Sequence, residues 1–251
     1  MRKPLIAGNW KMNHLYSQVP AYFQKLSEEL KGKVDPRAGQ VDILLAVPAP
    51  FLGLAREVAE QSGYLVAAQT VHEKADGAFT GEISVPMLKD MGLRWTLVGH
   101  SERRQYYNET DASVAAKAKA CIEQDVTPIV CVGETRVERE AGQTEAVLRR
   151  QMEAVLSAVG SSVAYVIAYE PVWAIGTGLT ATEAQAQEAH AFIRSVLRSK
   201  IGSGAEQLRI LYGGSVKSSN ISGLMKQVDV DGALVGGASL DPAEFSKIVA
   251  F

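Results

Sequence analysis

The chain has 251 residues, and its 26 lysine and arginine residues nearly balance 28 aspartate and glutamate residues, giving a net charge of −2. Hydrophobic residues make up 47% of the chain, which excludes intrinsic disorder. The charge balance gives no electrostatic reason to expect a nucleic acid or an anionic membrane as partner. Two cysteines fit a reducing compartment better than a disulfide framework. We therefore expect a cytoplasmic protein, and no linker-like segment divides residues 1–251 into more than one domain.

Short apolar runs alternate with helical patterns along the whole chain. The runs cover residues 5–7, 43–47, 65–68, 96–98, 128–132, 164–168, 209–212 and 232–235. Each is apolar on both faces, as is typical of buried parallel strands. Between them, helix starts are indicated at Ser84, Asp111, Thr182 and Asp241, two of which are followed closely by proline.

Eight strand–helix units of about 31 residues each account for the full length. This arithmetic favours the α/β class and a closed (β/α)8 barrel, with a doubly wound open sheet as the alternative. In a barrel, the chemistry should lie where the strands end and the following loops begin.

Polar residues and glycines do follow the predicted strands. They occupy residues 8–11, 99–102, 170–173, 213–215 and 236–237. Because the strands would be parallel, these five segments should converge on one face of the molecule. Glu170, His100 and Lys11 would then place a carboxylate, an imidazole and a cation together. Taken singly, each has an ordinary structural interpretation: an ion-paired or capping glutamate, a hydrogen-bonded loop histidine, and a partly enclosed lysine.

The glycine pairs after the last two strands indicate a phosphate site. Gly213-Gly214-Ser215 and Gly236-Gly237 occupy the positions at which barrels commonly bind phosphate through backbone N–H groups. Turn glycines are the alternative for either pair alone.

Two cofactor motifs can be rejected. Residues 176–181 match G-x-G-x-x-A, but six residues separate the strand from the first glycine, and no acidic residue ends the next strand. The stretch is better interpreted as part of a lid with a hinge at Pro171-Val-Trp173, an apolar tip at Ala174-Ile175 and a second hinge at Thr177-Gly178. His100-Ser-Glu102 resembles half of a zinc deaminase motif whose cysteine partner is missing. We therefore expect no cofactor and no metal.

The loop at residues 69–81 is long for a connection between a strand and a helix. Its tip at residues 78–80 carries Phe79, which is typical either of a mobile surface loop or of a docking element for another subunit.

Five of these segments resemble the triosephosphate isomerase family in residues as well as in position. They are Ala7-Gly-Asn-Trp-Lys-Met-Asn13, Val98-Gly-His-Ser-Glu-Arg-Arg104, Ala168-Tyr-Glu-Pro-Val-Trp-Ala-Ile-Gly-Thr-Gly178, Tyr212-Gly-Gly-Ser-Val216 and Asp231-Gly-Ala-Leu-Val-Gly-Gly237. The resemblance extends in order from residue 5 to residue 248. It implies interconversion of dihydroxyacetone phosphate and D-glyceraldehyde 3-phosphate through an enediolate, in glycolysis and gluconeogenesis.

The resemblance also implies a role for each matching residue. Glu170 matches the base that moves a proton between two carbons. His100 matches the electrophile, for which the family is itself a standard example of a neutral imidazole. Lys11 and Asn9 match the groups that stabilise the developing oxyanion, and Glu102 matches a carboxylate that organises Lys11.

Further matches concern the phosphate, the lid and the subunit interface. The expected phosphate contacts are Gly176, Ser215, Gly236 and Gly237, and residues 171–179 match a closing lid. The loop around Thr80 matches the segment that inserts beside Asn9 and Lys11 of a second subunit, which implies a homodimer. Thr70 departs from the Asn or Asp expected after Gln69, so the hydrogen bonding of this loop is in doubt.

Two other functions compete with isomerisation. Glu102 and Glu170 could be the carboxylate pair of a glycoside hydrolase, although aromatic residues make up only 7% of the chain. A phosphate-binding barrel without catalysis is the second competitor. The presence of all three of Glu170, His100 and Lys11 counts against it.

Overall fold

The computed structural model describes residues 2–176 and 180–251. These residues form eight β-strands and ten α-helices. The strands are β1 (Leu5–Asn9), β2 (Asp42–Ala46), β3 (Leu65–Ala68), β4 (Trp95–Val98), β5 (Thr127–Val132), β6 (Val166–Tyr169), β7 (Ile210–Tyr212) and β8 (Gly232–Val235). The helices are α1 (Val19–Leu30), α2 (Leu52–Glu60), α3 (Val85–Asp90), α4 (Ser101–Tyr107), α5 (Asp111–Ile122), α6 (Arg136–Glu140), α7 (Thr144–Val159), α8 (Glu183–Ile201), α9 (Ile221–Met225) and α10 (Pro242–Val249).

The eight strands close into a parallel barrel in the order of the sequence. Each strand pairs with the next, and β8 pairs with β1 in register from Leu5 opposite Gly232. The predicted (β/α)8 fold, a TIM barrel, is therefore confirmed, and the open-sheet alternative is wrong because an open sheet would leave β1 and β8 without each other. Every predicted run contains a strand. The boundaries differ by at most two residues: β6 starts two residues later than predicted, and β1 ends two residues later.

The core has two layers that follow from the apolar character of both strand faces. Leu5 and Ala7 point into the barrel, where the strands contribute a compact apolar filling. Ile6, between them, packs outward in the larger layer between the strands and the helices. Because successive side chains of a strand alternate, each face must be apolar to serve one of the two layers.

Side-chain caps fix the starts of several helices. Ser84, Thr182 and Asp241 accept N–H groups two or three residues further on, as their sequence positions predict. The helix predicted to open at Asp111 does so, and Thr110 is its N-cap. In this fold, helix N-termini lie at the same end of the barrel as the carboxyl ends of the strands, so both contribute to the site.

Candidate active site

A cavity of about 430 Å³ lies at the carboxyl ends of the strands. It brings together eight of the nine predicted site residues: Asn9, Lys11, His100, Glu170, Gly176, Ser215, Gly236 and Gly237. The ninth, Glu102, lines a neighbouring cavity together with Asn9, Lys11 and His100. Residues spread over most of the chain therefore meet at one end of the barrel, as a parallel topology requires.

The Glu170 carboxylate is buried, with 2% of the residue exposed, and it contacts two neutral N–H donors. Its Oε2 accepts the backbone N–H of Ser101 at 2.8 Å, and its Oε1 lies 3.1 Å from Nε2 of His100. No lysine or arginine pairs with it in the described part of the chain. The interpretation of Glu170 as the partner of a lysine or arginine therefore loses its support, and the residue lines the cavity.

Two glycines make room for Glu170. A Cβ atom on Gly213 would lie 2.9 Å from Cγ of Glu170, and a Cβ atom on Gly133 would overlap the Glu170 carbonyl oxygen. The sequence position of Gly213 predicted a contact with phosphate. In the structure, the atom nearest to the place where a Gly213 Cβ would stand belongs to the Glu170 side chain. The requirement at Gly133 was missed because nothing near it in the sequence marks a close approach between β5 and β6.

His100 precedes α4 and acts as its N-cap. Its Nδ1 accepts the backbone N–H of Glu102 at 3.2 Å. A ring nitrogen that accepts a hydrogen bond carries no proton, so the neutral ring has its proton on Nε2, the atom facing Glu170. The arrangement therefore presents an N–H donor to the cavity.

Lys11 is held in a defined position by contacts from three parts of the chain. Its Nζ pairs with Oε1 of Glu102 at 2.6 Å, and its backbone N–H donates to Oδ1 of Asn9 at 3.0 Å. The side-chain amide of Gln69 donates to the Lys11 carbonyl at 2.9 Å. The hydrogen bonding of the loop after β3 is thus intact despite Thr70, whose hydroxyl donates to Oε1 of Glu109 at 3.4 Å. Gln69 is a positioning residue that its sequence pattern alone did not reveal.

The first part of the predicted lid is anchored to the barrel. The indole N–H of Trp173 donates to Oε1 of Glu134 at 2.9 Å, and the Tyr169 hydroxyl donates to the same oxygen at 3.1 Å. At the predicted apolar tip, Ile175 lines the cavity and the side chain of Ala174 is fully buried. The predicted hinge at Thr177-Gly178 lies outside the described residues.

The residues predicted to bind phosphate border the same cavity. Gly237 starts a short 3-10 helix, Gly237–Leu240, and the first N–H groups of a helix have no partner within it. Ser215 and Lys217 add a hydroxyl and a cation at the cavity wall. These donors suit an anion.

The loop after β3 projects from the barrel. The Phe79 side chain at its tip is 42% exposed and stacks on His72 with ring centroids 4.1 Å apart. Among residues 2–176 and 180–251, no group of His, Cys, Asp or Glu side chains could hold a metal ion. No helix in that part of the chain is long and apolar enough to cross a membrane.

Comparison with known proteins agrees with this geometry. The family model described as triosephosphate isomerase matches residues 4–251. A protein named triosephosphate isomerase from Delftia acidovorans is 52% identical over 251 residues, covering 100% of this chain and 99% of its own. A protein of the same name from Paracidovorax citrulli is 49% identical, covering 99% of this chain and 98% of its own. The chain belongs to the triosephosphate isomerase family.

Proposed function

We propose that this chain interconverts dihydroxyacetone phosphate and D-glyceraldehyde 3-phosphate, using the residues assembled in the 430 Å³ cavity. The observation that carries the proposal is the contact between the buried Glu170 carboxylate and Nε2 of His100. It sets a proton acceptor beside a hydrogen-bond donor, the two groups that enolisation of a carbonyl compound needs.

Glu170 is the base. Its carboxylate removes a proton from the carbon next to the carbonyl group and returns it to the neighbouring carbon. His100 donates its Nε2–H to the carbonyl oxygen and shuttles the proton between the two enediolate oxygens. A neutral ring is better suited to this task than imidazolium, which would hold the proton too strongly for the shuttle. Lys11 and Asn9 stabilise the negative charge that develops on oxygen, and Glu102 fixes the Lys11 ammonium group at 2.6 Å.

The phosphate of the substrate occupies the part of the cavity that is lined by the segments after β7 and β8. Gly176, Ser215, Gly236 and Gly237 supply its contacts. The lid at residues 171–179 closes over it and excludes water, which keeps the enediolate from losing phosphate. The Trp173 contact with Glu134 supports this assignment because it anchors one end of the lid to the barrel.

The proposal extends to assembly and location. We propose that residues 1–251 form one catalytic domain in the cytoplasm, and that two copies associate through the loop around Thr80. The exposure of Phe79 at the tip of that loop supports docking. The loop of one copy would then pack beside Asn9 and Lys11 of the second copy.

A glycoside hydrolase is not favoured. It would need Glu102 as a partner for Glu170, but Glu102 is ion-paired with Lys11. A carboxylate held by a cation is a poor general acid because the cation stabilises its charged form.

The test is NMR of dihydroxyacetone phosphate with the purified protein in D2O. We expect deuterium at the reacting carbon together with formation of glyceraldehyde 3-phosphate. A folded sample that gives neither exchange nor product would contradict the proposal and leave a phosphate-binding barrel.

A further inference from the structure

The loop between β1 and α1 contains a strained residue that the proposed chemistry does not use. His14 has a φ of +66°, and Lys11, three residues earlier, has a φ of +52°. The left-handed region costs a residue with a Cβ atom about 1–2 kcal/mol, although histidine occurs there more often than most such residues. Favourable contacts of the His14 side chain must therefore hold this backbone in place.

Those contacts are aromatic. The His14 ring lies 4.6 Å from the Trp10 ring and 5.5 Å from the Tyr22 ring, measured between centroids. Trp10 is fully buried and stands between Asn9 and Lys11 in the chain. Tyr22 belongs to α1, and its hydroxyl donates to the Ser239 carbonyl at 2.5 Å. The imidazole thus joins the segment that carries Lys11 to a fixed part of the barrel.

The same environment is unsuitable for a charged ring. Nε2 of His14 is buried and has no hydrogen-bond partner in the part of the chain that the structure describes. Burial lowers the pKa of His14 below its ordinary value of 6.5, and no charged side chain offsets this. The titratable group that faces it from α1 is Tyr22, whose pKa burial raises, and Asp241 acts on Tyr22 but not on His14.

A protonated His14 ring could in principle be stabilised by lying over the face of an aromatic ring, which would oppose the effect of burial. The rings of His14 and Trp10 meet edge to face at 61°, and protonation would bury an N–H donor without an acceptor. Protonation should therefore weaken the ring contacts.

We propose that His14 is a positioning residue for Lys11: its neutral ring holds the loop, and its protonation in mild acid loosens the loop and lowers turnover. The inference rests on the proposed function, because it acts on the reaction through the Lys11 ammonium group.

Two substitutions separate the ring from its charge. His14→Asn removes the ring but keeps a residue that tolerates a positive φ. We expect kcat at about pH 8 to fall roughly tenfold with KM within about twofold, since a displaced group costs rate more than binding. His14→Phe keeps a ring that cannot be protonated, so kcat at about pH 8 should stay within roughly threefold of the unsubstituted protein.

The pH profile is the decisive measurement. The ratio of kcat at about pH 5 to kcat at about pH 8 should be at least roughly threefold higher in His14→Phe than in the unsubstituted protein. Titration of the substrate phosphate affects both proteins equally and cancels in this comparison. Unfolding free energies at both pH values show whether any variant has lost its fold.

The imidazole signal of His14, followed by NMR, adds a readout that needs no turnover. A His14 pKa of 6.5 or above would overturn the inference. An equal fall of kcat in acid in His14→Phe and in the unsubstituted protein would also overturn it, as would a kcat of His14→Asn at about pH 8 that equals that of the unsubstituted protein. An unsubstituted protein that turns over no triose phosphate would instead contradict the proposed function, while the NMR titration would still report on His14.

Discussion

Two buried carboxylates at opposite ends of the barrel have different partners. Glu170, at the carboxyl end of β6, contacts the backbone N–H of Ser101 and Nε2 of His100. Asp231, directly before β8 at the amino end, accepts from Nε of Arg2 and from Nη2 of the fully buried Arg194, each at 2.6 Å. It also accepts the Ile210 N–H at 2.9 Å.

The difference separates the carboxylate that we propose as the catalytic base from a structural one. Two guanidinium groups hold the Asp231 carboxylate in place through charge-assisted hydrogen bonds. Glu170 has neutral donors and an adjoining cavity, so it can exchange its partners for a substrate. Burial alone does not distinguish the two groups, whereas the charge of the partners does.

The largest expected effect is on turnover at the carboxyl end. Glu170→Ala should lower kcat by about 10²–10⁴-fold, because positioned proton transfer contributes that much. Affinity for a phosphate-bearing inhibitor should stay nearly intact, since other residues bind the phosphate. Steady-state kinetics and calorimetry measure the two quantities. A variant that keeps more than about a tenth of the activity would contradict the assignment of the base.

At the amino end, the expected effect is on stability. Asp231→Asn should lower the free energy of unfolding by about 3–5 kcal/mol, because it breaks the 2.6 Å ion pair of the fully buried Arg194 and leaves only the longer pair with Asp229 at 3.3 Å. The kcat of the molecules that remain folded should be unchanged. Glu206→Gln is the control: this exposed carboxylate also pairs with arginines, and its loss should cost less than about 1 kcal/mol. Equal losses in urea unfolding would remove the distinction between the ends.

Lysine pairs give the same comparison with a smaller effect. Lys11 pairs with Glu102 at the cavity, and Lys3 pairs with Asp42 at the amino end. Lys11→Met should lower kcat by about 10²–10³-fold, as expected for a group that stabilises a developing oxyanion. Lys3→Met should leave kcat within about twofold, because its pair is partly exposed and far from the reaction. A loss of kcat in Lys3→Met would show that both ends control turnover.

The sequence was informative wherever a signal is local. Alternating apolar runs located all eight strands, and cap residues such as Thr182 located helix starts, because both depend on neighbours in the chain. Glu170 and His100 were found because each follows a strand. Gly133 and Gln69 were not, since their roles depend on close approaches between strands that are distant in sequence. Asp231 was not recognised as a structural anion for the same reason.

A buried histidine of α8 gives a pH effect. His190 is fully buried, and burial lowers its pKa to about 4 although its Nδ1 lies 3.0 Å from the Asp229 carbonyl. Because the unfolded chain binds this proton more readily, stability should fall as the pH drops from about 6.5 towards 4, by up to roughly 3 kcal/mol.

His190→Asn keeps an N–H donor near Nδ1 but cannot be protonated. Its free energy of unfolding, measured by urea titration at several pH values, should lack this part of the acid dependence. Parallel curves for the two proteins would show that His190 does not titrate on unfolding.

The smallest effect concerns a structural residue at the catalytic end. Thr182 and Thr110 cap α8 and α5 with the same reciprocal hydrogen bonds. Each Thr→Ala change should lower the free energy of unfolding by about 1 kcal/mol and leave kcat unchanged. Thr182 also follows the lid in the chain, whereas Thr110 does not. If Thr182→Ala lowers kcat and Thr110→Ala does not, the cap of α8 takes part in lid closure. Distance from the site would then help to separate functional from structural residues, in addition to the charge of their partners. Equal behaviour of the two variants would leave partner charge as the better guide.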